Sequence, residues 1–290
     1  MPVYNGERHV RQALDSLLAQ DFTDFELIVS DNASTDATGK ICREYAVKDS
    51  RVRYHRNEIN LGIAGNFNRV FELSSGELFM WAAHDDLWEP IFVSRCVKVM
   101  GDKQRIVLTY PRAKFIGLEG EAIQASLPSF DTRSLPLASR FNTVIWGIAY
   151  AHQTYGLIRS SALRRVLPIK NSLGAEHALL AELALLGEFA HIPAPLFYIR
   201  RQIDEWGDKD EWLNAVDEVT AKIDRHVTTR RSALYIYWQM IHNHLRAVNK
   251  QVRGPGKVVL LASTLLCIPV KYHWLLKALL DVSEHKRGKG

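Results

Sequence analysis

The 290 residues are 47% hydrophobic and 24% charged, a composition that supplies a sizeable core and excludes disordered, collagen-like and coiled-coil classes. Three widely spaced cysteines, Cys42, Cys96 and Cys267, form no CxxC pair and fit neither a disulfide framework nor a zinc ribbon. We therefore expect a folded protein of a reducing, cytoplasmic compartment.

The positive charge is concentrated at the C-terminal end. The whole chain carries 37 − 32 = +5, and from Arg231 onward ten Lys and Arg stand against Asp281 and Glu284, which gives 10 − 2 = +8. A basic tail predicts a polyanionic partner, and without an RNA-binding or helix-turn-helix pattern an anionic membrane surface is favoured over nucleic acid. The longest apolar run, 258–270, contains Pro269 and is too short to span a bilayer, which needs about 20 residues. The N-terminus shows no secretory signal pattern.

Apolar residues alternate between helical and strand spacing along the first half of the chain. In the segment 7–20, for example, Val10, Ala13, Leu14 and Leu17 recur on one helical face. The pattern predicts helices over 7–20, 34–47, 65–73, 90–100 and 176–186, strands over 25–29, 51–55, 77–82 and 106–110, and an irregular stretch over 126–139. Helices alternating with strands predict an α/β domain with a parallel sheet.

Carboxylates follow two of the predicted strands directly. Asp31 comes after the strand 25–29, and Asp85 and Asp86 come after the strand 77–82. Because parallel sheets bind ligands at the carboxyl ends of their strands, these side chains are expected to meet in one cleft. Two adjacent carboxylates favour a divalent cation, and the set suits a metal-bound nucleotide. The alternative is that the Asp85-Asp86 pair caps the next helix.

Several motifs in this order and spacing resemble the nucleotide-sugar domain of family 2 glycosyltransferases. They are Pro2-Val3-Tyr4-Asn5, the segment 25–36 ending in Ser34-Thr35-Asp36, Asn60-Leu61-Gly62, Gly65-Asn66-Phe67-Asn68, Gly76-Glu77 and His84-Asp85-Asp86. The resemblance covers about the first 100 residues. It implies a GT-A fold, a nucleoside-diphosphate-sugar donor, a Mg²⁺ or Mn²⁺ cofactor and transfer with inversion at the anomeric carbon.

The resemblance also implies roles for the residues at the sheet edge. Asp31 would face the nucleobase, Asp85 the ribose or phosphate, and Asp86 the metal that bridges the diphosphate. The nucleotide edge of the cleft would be lined by Pro2, Val3, Tyr4 and Glu7. The family often has another Asp two residues before the carboxylate pair, where this chain has Ala83, and this difference weakens the expectation of a metal.

A second match concerns the catalytic base. The family commonly has an acidic pair opening a helix that ends in Gly, and counting back from Gly187 places its proton-accepting Asp at Glu176. A glutamate is chemically adequate as a base. His177 is the competing base, because an imidazole titrates near neutral pH. The structural alternative is that Glu176 stabilises the helix N-terminus.

Arginines at 200 and 201 follow the Leu-Phe-Tyr strand and have two readings. They could neutralise a departing diphosphate, although a solvated face is the commoner explanation. The predicted organisation is a GT-A domain over 1–203, with a nucleotide-sugar half over 1–100 and an acceptor half over 101–203, followed by a basic helical appendage over 204–290. In the family an apolar strand precedes Pro-Val-Tyr-Asn, so a chain that starts at Met1 is expected to be less stable than one extended upstream.

These expectations converge on an inverting glycosyltransferase. It would move a sugar to a saccharide or lipid-linked acceptor in polysaccharide or glycolipid assembly, at the inner face of the membrane. Two alternatives remain from the sequence: a catalytically silent, membrane-associated partner of a glycan-assembly complex, and a nucleotidyltransferase. The nucleotidyltransferase is disfavoured because Tyr4-Asn5-Gly6-Glu7 is no Gly-rich phosphate loop.

Overall fold

The computed structural model describes residues 1–124, 127–172, 174–201, 230–273 and 276–277. Within these ranges no helix combines the length and the hydrophobicity that a membrane span requires.

The first 72 residues build a small parallel sheet with its helices. Strands β1 (Pro2–Val3), β2 (Leu27–Asp31) and β3 (Val52–Arg56) pair in that order, all parallel. The helices are α1 (Val10–Leu18), α2 (Thr38–Lys48) and α3 (Gly62–Glu72). Helix α1 buries Val10, Ala13, Leu14 and Leu17, the stripe that the sequence spacing predicts. The predicted alternation and the parallel sheet are therefore confirmed here.

A second, mixed sheet follows in the order β4-β8-β6-β9-β5, with β7 paired to β6. Its strands are β4 (Leu78–Phe79), β5 (Leu87–Trp88), β6 (Ile106–Ile116), β7 (Ala122–Ile123), β8 (Leu157–Arg159) and β9 (Glu188–Arg200), and helix α4 (Phe92–Met100) lies between β5 and β6. The parallel pair of β6 and β9 runs from Ile106 beside Glu188 to Ile116 beside Arg200. This pair of strands runs from the core to the neighbourhood of the carboxylates Asp85 and Asp86.

Two predicted strands have the wrong length. Strand β4 has two residues instead of the six predicted over 77–82, and β6 continues six residues beyond the predicted end at Tyr110. The extension was hidden because Pro111 and Arg112 interrupt the apolar pattern, and the pairing is irregular at these two residues.

Helices close the second sheet. They are α5 (Leu137–Gly147), α6 (Ser160–Val166) and α7 (Ala175–Leu186), and a 3₁₀ turn (His152–Tyr155) precedes β8. Helix α5 begins inside the stretch predicted as irregular. The predicted appendage is described over 230–273 and 276–277, and there it is helical, with α8 (Arg230–Gln251) and α9 (Gly256–Lys271).

The C-terminal helices share a hydrophobic core with α5 and α7. The core joins Phe141 and Ile145 of α5 and Ala181 of α7 to the C-terminal helices, represented by Met240 of α8 and Leu260 of α9. The appendage therefore packs against the helix that carries Glu176. The domain boundary at 203 and 204 stays a prediction, and 202–229 lie outside the described residues.

A cavity of about 720 Å³ lies between the two sheets. Leu27 and Ile28 of β2 line one side, and Leu78 and Phe79 of β4 line the other. Met1 also borders the cavity, and its ammonium group donates a hydrogen bond of 2.6 Å to the carbonyl of Ile28. Burial lowers the pKa of this ammonium from 8.0 to about 5.

Candidate active site

Asp31 ends β2 as a fully buried carboxylate. Its Oδ1 accepts a hydrogen bond from the Ser34 amide (2.8 Å), and its Oδ2 accepts bonds from the Tyr54 hydroxyl (2.6 Å) and the Arg56 guanidinium (2.7 Å). Burial opposes ionisation, but the hydrogen bonds from Ser34 and Tyr54 and the charge of Arg56 hold the pKa of Asp31 below its ordinary value. Asp31 therefore carries a negative charge that fixes the loop after β2.

A network of asparagine side chains lies beside Asp31. The Asn66 amide donates to the Ser30 carbonyl (2.9 Å), and its Oδ1 accepts from the Ser30 hydroxyl (2.7 Å) and from Asn57 (3.1 Å). Asn32 accepts a further bond from Asn57 and one from the Leu61 amide. These amides join β2, β3 and the start of α3. Asn66 belongs to the motif Gly65-Asn66-Phe67-Asn68, which by itself predicted no role for this side chain.

The residues expected at the nucleotide edge fall into three environments. Pro2 and Val3 form the buried strand β1, whereas the side chain of Tyr4 is 46% exposed and free to face a ligand. Glu7 is already engaged, because its Oε2 accepts a bond of 2.8 Å from the Ala37 amide at the N-terminus of α2. The edge is held close to the carboxylates, since a Cβ on Gly6 would stand 2.4 Å from His84 Cδ2.

Asp85 and Asp86 are fixed by Arg200 at the end of β9. Asp86 is buried, and its Oδ1 accepts a bond of 2.9 Å from the Arg200 amide, while the Arg200 Nε donates to the Asp85 carbonyl (2.8 Å). The Arg200 guanidinium also donates to the Leu118 carbonyl and to Gln12 Oε1, both at 2.7 Å. One arginine therefore ties the carboxylate pair to α1 and to the β6–β7 turn.

The burial of Arg200 corrects the expectation of a solvated arginine pair. Arg200 is only 3% exposed, and among the described residues its side chain bonds carbonyl and amide oxygens. Its partners are distant in sequence, so an arginine at the end of an apolar strand was the only local signal of this role. Arg201 remains partly exposed and donates to the Arg200 carbonyl.

The carboxylate pair has the chemistry of a cation site. Burial, and then the neighbouring charge of Asp85, raise the pKa of Asp86, while Arg200 and Arg201 oppose the shift only in part. A bound cation would offset this repulsion. Among the described residues no three His, Cys, Asp or Glu side chains gather around one point. The residues thus fit a hard divalent cation that takes its remaining ligands from phosphate and water rather than a closed protein cage.

Glu176 lies in the same electrostatic environment as the carboxylate pair. It is the second residue of α7, after Ala175 and the preceding Gly174. Burial raises the pKa of Glu176, and the charge of Arg201 opposes this shift. Arg201 also acts on Asp86. Tyr155 interacts electrostatically with Glu176, Asp86 and Asp85 together. Glu176 and Asp86 therefore share Arg201 and Tyr155 as electrostatic neighbours.

His177 points to a different part of the molecule. Its ring meets the Tyr272 ring edge-on at 5.7 Å and bonds the backbone of Ala149. Burial, together with Lys271 and His244 of the C-terminal helices, lowers the pKa of His177 to about 3. The structure thus places His177 among neighbours from α8, α9 and the residues after α5.

Solved structures share the fold of this chain. Staphylococcus aureus TarS, residues 1–349 in complex with UDP-GlcNAc, is similar with a TM-score of 0.57 and 18% identity over 99% of this chain and 90% of that one. The Pyrobaculum calidifontis mannosyltransferase PcManGT, in complex with GDP-Man and Mn²⁺, has a TM-score of 0.56 and 15% identity over 100% and 74%. The expected α/β GT-A fold is confirmed.

Sequence comparison identifies the family. The chain is 34% identical over 104 residues to the glycosyltransferase GlyA of Streptococcus pneumoniae, a match covering 36% of this chain and 15% of GlyA. The chain spans at most a little more than half the length of the first curated relatives that it matches. The model of the glycosyl transferase family 2 matches residues 1–167. The chain therefore belongs to glycosyltransferase family 2.

Proposed function

We propose that this protein transfers a sugar from a nucleoside-diphosphate carrier to an acceptor hydroxyl with inversion at the anomeric carbon. The observation that carries the proposal is the buried Asp86 beside Asp85, directly before β5, together with the electrostatic neighbours Arg201 and Tyr155 that Asp86 shares with Glu176. Because Asp86 is buried and Asp85 is partly buried, their like charges repel each other, and a bound cation would offset that repulsion. A neighbouring glutamate with a raised pKa supplies the base that an acceptor hydroxyl needs.

The donor is proposed to lie along the edge formed by β1 and β2. Tyr4 is exposed there, and the bond from the Ser34 amide to Asp31 holds the loop after β2. Asp85 is proposed to face the ribose or phosphate. TarS binds UDP-GlcNAc and PcManGT binds GDP-Man, which supports the donor class but names no base or sugar for this chain. A Mg²⁺ or Mn²⁺ ion held by Asp86 would neutralise charge on the departing diphosphate.

Glu176 is proposed to act as the general base. The acceptor hydroxyl gives its proton to the Glu176 carboxylate as its oxygen attacks the anomeric carbon, and the bond from that carbon to the diphosphate breaks. Since the attack comes from the face opposite the leaving group, the configuration inverts. The raised pKa of Glu176 brings it closer to the pH of the cell, where a base is most effective. The lowered pKa of His177 and its contacts with the C-terminal helices and Tyr272 make it a packing residue in this scheme.

Donor binding is the test of this proposal. The chain is titrated with UDP, GDP, dTDP and CDP, each with and without Mn²⁺, and the melting temperature is measured. At a ligand concentration 100-fold above the dissociation constant we expect stabilisation of about 2.7 kcal/mol with one nucleotide. The matched variant Asp86→Asn should lose the metal-dependent part. No metal-dependent rise with any of the four nucleotides would contradict the proposal.

The acceptor is proposed to be a saccharide or a lipid-linked saccharide at the inner face of the membrane. Support comes from the basic C-terminal helices, which pack beside the helix that carries Glu176. An acceptor held at a membrane would then reach the same cleft as the donor. Transfer to a lipid-linked saccharide, compared with donor hydrolysis alone, distinguishes a transferase from a silent partner.

A further inference from the structure

Helix α9 is apolar around most of its circumference, and within the described residues one side of it is covered. Leu260, Thr264 and Ile268 recur at four-residue spacing and are buried against the protein. The other side exposes aliphatic side chains, which are Val258 (70%), Val259 (59%), Leu265 (50%), Leu266 (70%) and Val270 (63%). At 3.6 residues per turn these five span an arc of roughly 140°. We refer to these five residues as the outer face of α9.

The chain around this face carries only one sign of charge. Between Arg230 and Lys277 the sequence has no Asp or Glu and eight Lys or Arg: 230, 231, 246, 250, 253, 257, 271 and 277. Arg253 is exposed just before α9, and Lys257 lies in its first turn. An apolar stripe bordered by cations matches an interfacial helix, which inserts its apolar side below anionic headgroups.

An exposed tryptophan lies at the far end of α9. Lys271 donates hydrogen bonds to the carbonyls of Ile145, Trp146 and Ile148 at the end of α5, so this end of α9 is fixed beside Trp146. Half of the surface of Trp146 is exposed. Tryptophan is enriched where apolar and polar layers of a membrane meet, because its ring has both characters.

We propose that the outer face of α9 binds the surface of an anionic lipid bilayer. The helix lies in the plane of the interface, with its five aliphatic side chains in the outer acyl region and with Arg253 and Lys257 at the headgroups. The proposal rests on the proposed function in one respect only, namely that membrane binding would bring the active site to a lipid-linked acceptor. The buried face of α9, packed on α5 and α8, keeps the bound surface in a fixed relation to α7 and Glu176.

Vesicle flotation tests the proposal. The full chain is floated with phosphatidylcholine vesicles that contain phosphatidylglycerol, and with pure phosphatidylcholine, at low and high salt. We expect flotation with the anionic vesicles at low salt and a decrease at high salt. The triple variant Val258→Gln, Leu265→Gln, Leu266→Gln should bind at least tenfold more weakly, because its apolar side chains no longer favour insertion. The variant Arg253→Gln, Lys257→Gln should lose about fivefold per charge at low salt only.

The matched control changes aliphatic residues of similar exposure elsewhere. Val47 (88% exposed) and Ile91 (42% exposed) are far from α9 in sequence, and Val47→Gln with Ile91→Gln should float like the parent chain. The proposal is overturned if the parent does not float with anionic vesicles or if the triple variant floats equally. It is also overturned if the parent is a dimer that the triple variant converts to a monomer, because a second copy then covers the face.

Flotation and donor binding fail separately. A chain that floats but shows no metal-dependent response to any nucleotide would contradict the proposed transfer reaction and leave the membrane face standing. A chain that binds a nucleotide with Mn²⁺ but does not float would do the reverse.

Discussion

Glu176 and Glu182 lie on the same helix but in different surroundings. Glu182 bonds Lys250 (2.9 Å) and Gln251 (2.8 Å), whereas the electrostatic neighbours of Glu176 include Arg201 and Tyr155. The proposed chemistry depends on this difference, because a general base must accept a proton, and a carboxylate held by a cation in a tight ion pair accepts one less readily.

Glu176→Gln is therefore expected to lower kcat by about 10²-fold or more while leaving donor affinity nearly unchanged. An amide cannot accept the proton, but it occupies the same space. Steady-state kinetics with a donor titration measures both effects, and Glu182→Gln is the matched control, expected to keep kcat. Full activity of Glu176→Gln together with loss of activity in His177→Ala would move the base to His177.

The activity should also rise with pH through the pKa of Glu176. Burial raises this pKa above the ordinary value for a glutamate, so the carboxyl is protonated, and inactive as a base, over a wider acid range than an exposed glutamate. A profile of kcat against pH should thus show its acid limb above the usual glutamate range, and Glu176→Gln should lack that limb. An identical limb in the variant would show that another group titrates.

Arg200 is a residue whose loss should reduce stability more than any exposed arginine. Arg200→Met removes the bonds to the Asp85 and Leu118 carbonyls and to Gln12, and leaves these buried oxygens without that donor. We expect the free energy of unfolding to fall by about 3 kcal/mol. Urea denaturation measures the change, with Arg164→Met on the exposed side of α6 as the control. A loss no larger than that of the control would mean that Arg200 is not structural.

At the residue scale, the sequence predicted Asp31 after a strand, and Asp31 ends β2, but Asp85 and Asp86 lie directly before β5 and not at the end of the strand predicted over 77–82. Strands β4 and β5 pair antiparallel with β8 and β9 in the second sheet, so the predicted parallel topology does not account for the position of this pair. Arg200 and Tyr155 act through contacts with segments far away in the chain, and no periodicity or local motif records such contacts. Strand alternation likewise could not reveal the second half of β6, because Pro111 breaks the pattern where the pairing with β9 becomes irregular.

Among the elements, β2 and β4 border a cavity that is lined by apolar side chains of both strands, including Leu27 and Phe79. The ladder between β1 and β2 already places the Met1 carbonyl as acceptor for the Ser30 amide and the Val3 carbonyl for the Asn32 amide. Continuing this two-residue period upstream would bring another residue beside Ile28, along the wall of the cavity. A polypeptide extended before Met1 by four or five apolar, β-branched residues should therefore melt at a higher temperature than one that starts at Met1.

Extension by Gly and Ser of equal length is the control for the added residues. It removes the charge from the N-terminus of Met1 but supplies no apolar side chains to the cavity. Equal melting temperatures for the two extensions would show that the cavity does not take a strand.

The buried ammonium group of Met1 predicts how stability depends on pH in a polypeptide that starts at Met1. The pKa of its buried ammonium is about 5 in the folded state and 8.0 in its ordinary state, so between these values the unfolded chain binds more protons. Stability from this group therefore rises with pH across that window and is lost as the pH falls toward 5. Denaturant titrations at several pH values should show this slope, and the Gly-Ser extension should weaken it.

For the whole molecule, the C-terminal helices act on the active site through α7. Met240 of α8 packs against Gly174, since a Cβ added to Gly174 would stand 3.1 Å from the Met240 Cγ. Gly174 has a positive φ of 70° and directly precedes the helix that carries Glu176. Met240→Ala is expected to lower the free energy of unfolding by about 2–5 kcal/mol and also to lower kcat. Val52→Ala in the N-terminal sheet should affect stability without a comparable change in kcat. Equal effects on kcat would contradict the coupling.

The hydrogen bond from position 200 to Asp86 has a consequence for how this site tolerates change. The donor is the main-chain amide, so the bond does not depend on which side chain occupies the position. Every substitution except proline preserves that donor, and only the guanidinium contacts are lost. In a saturation library at position 200, every variant except proline should therefore keep the main-chain bond to Asp86, while stability varies with the loss of the guanidinium contacts.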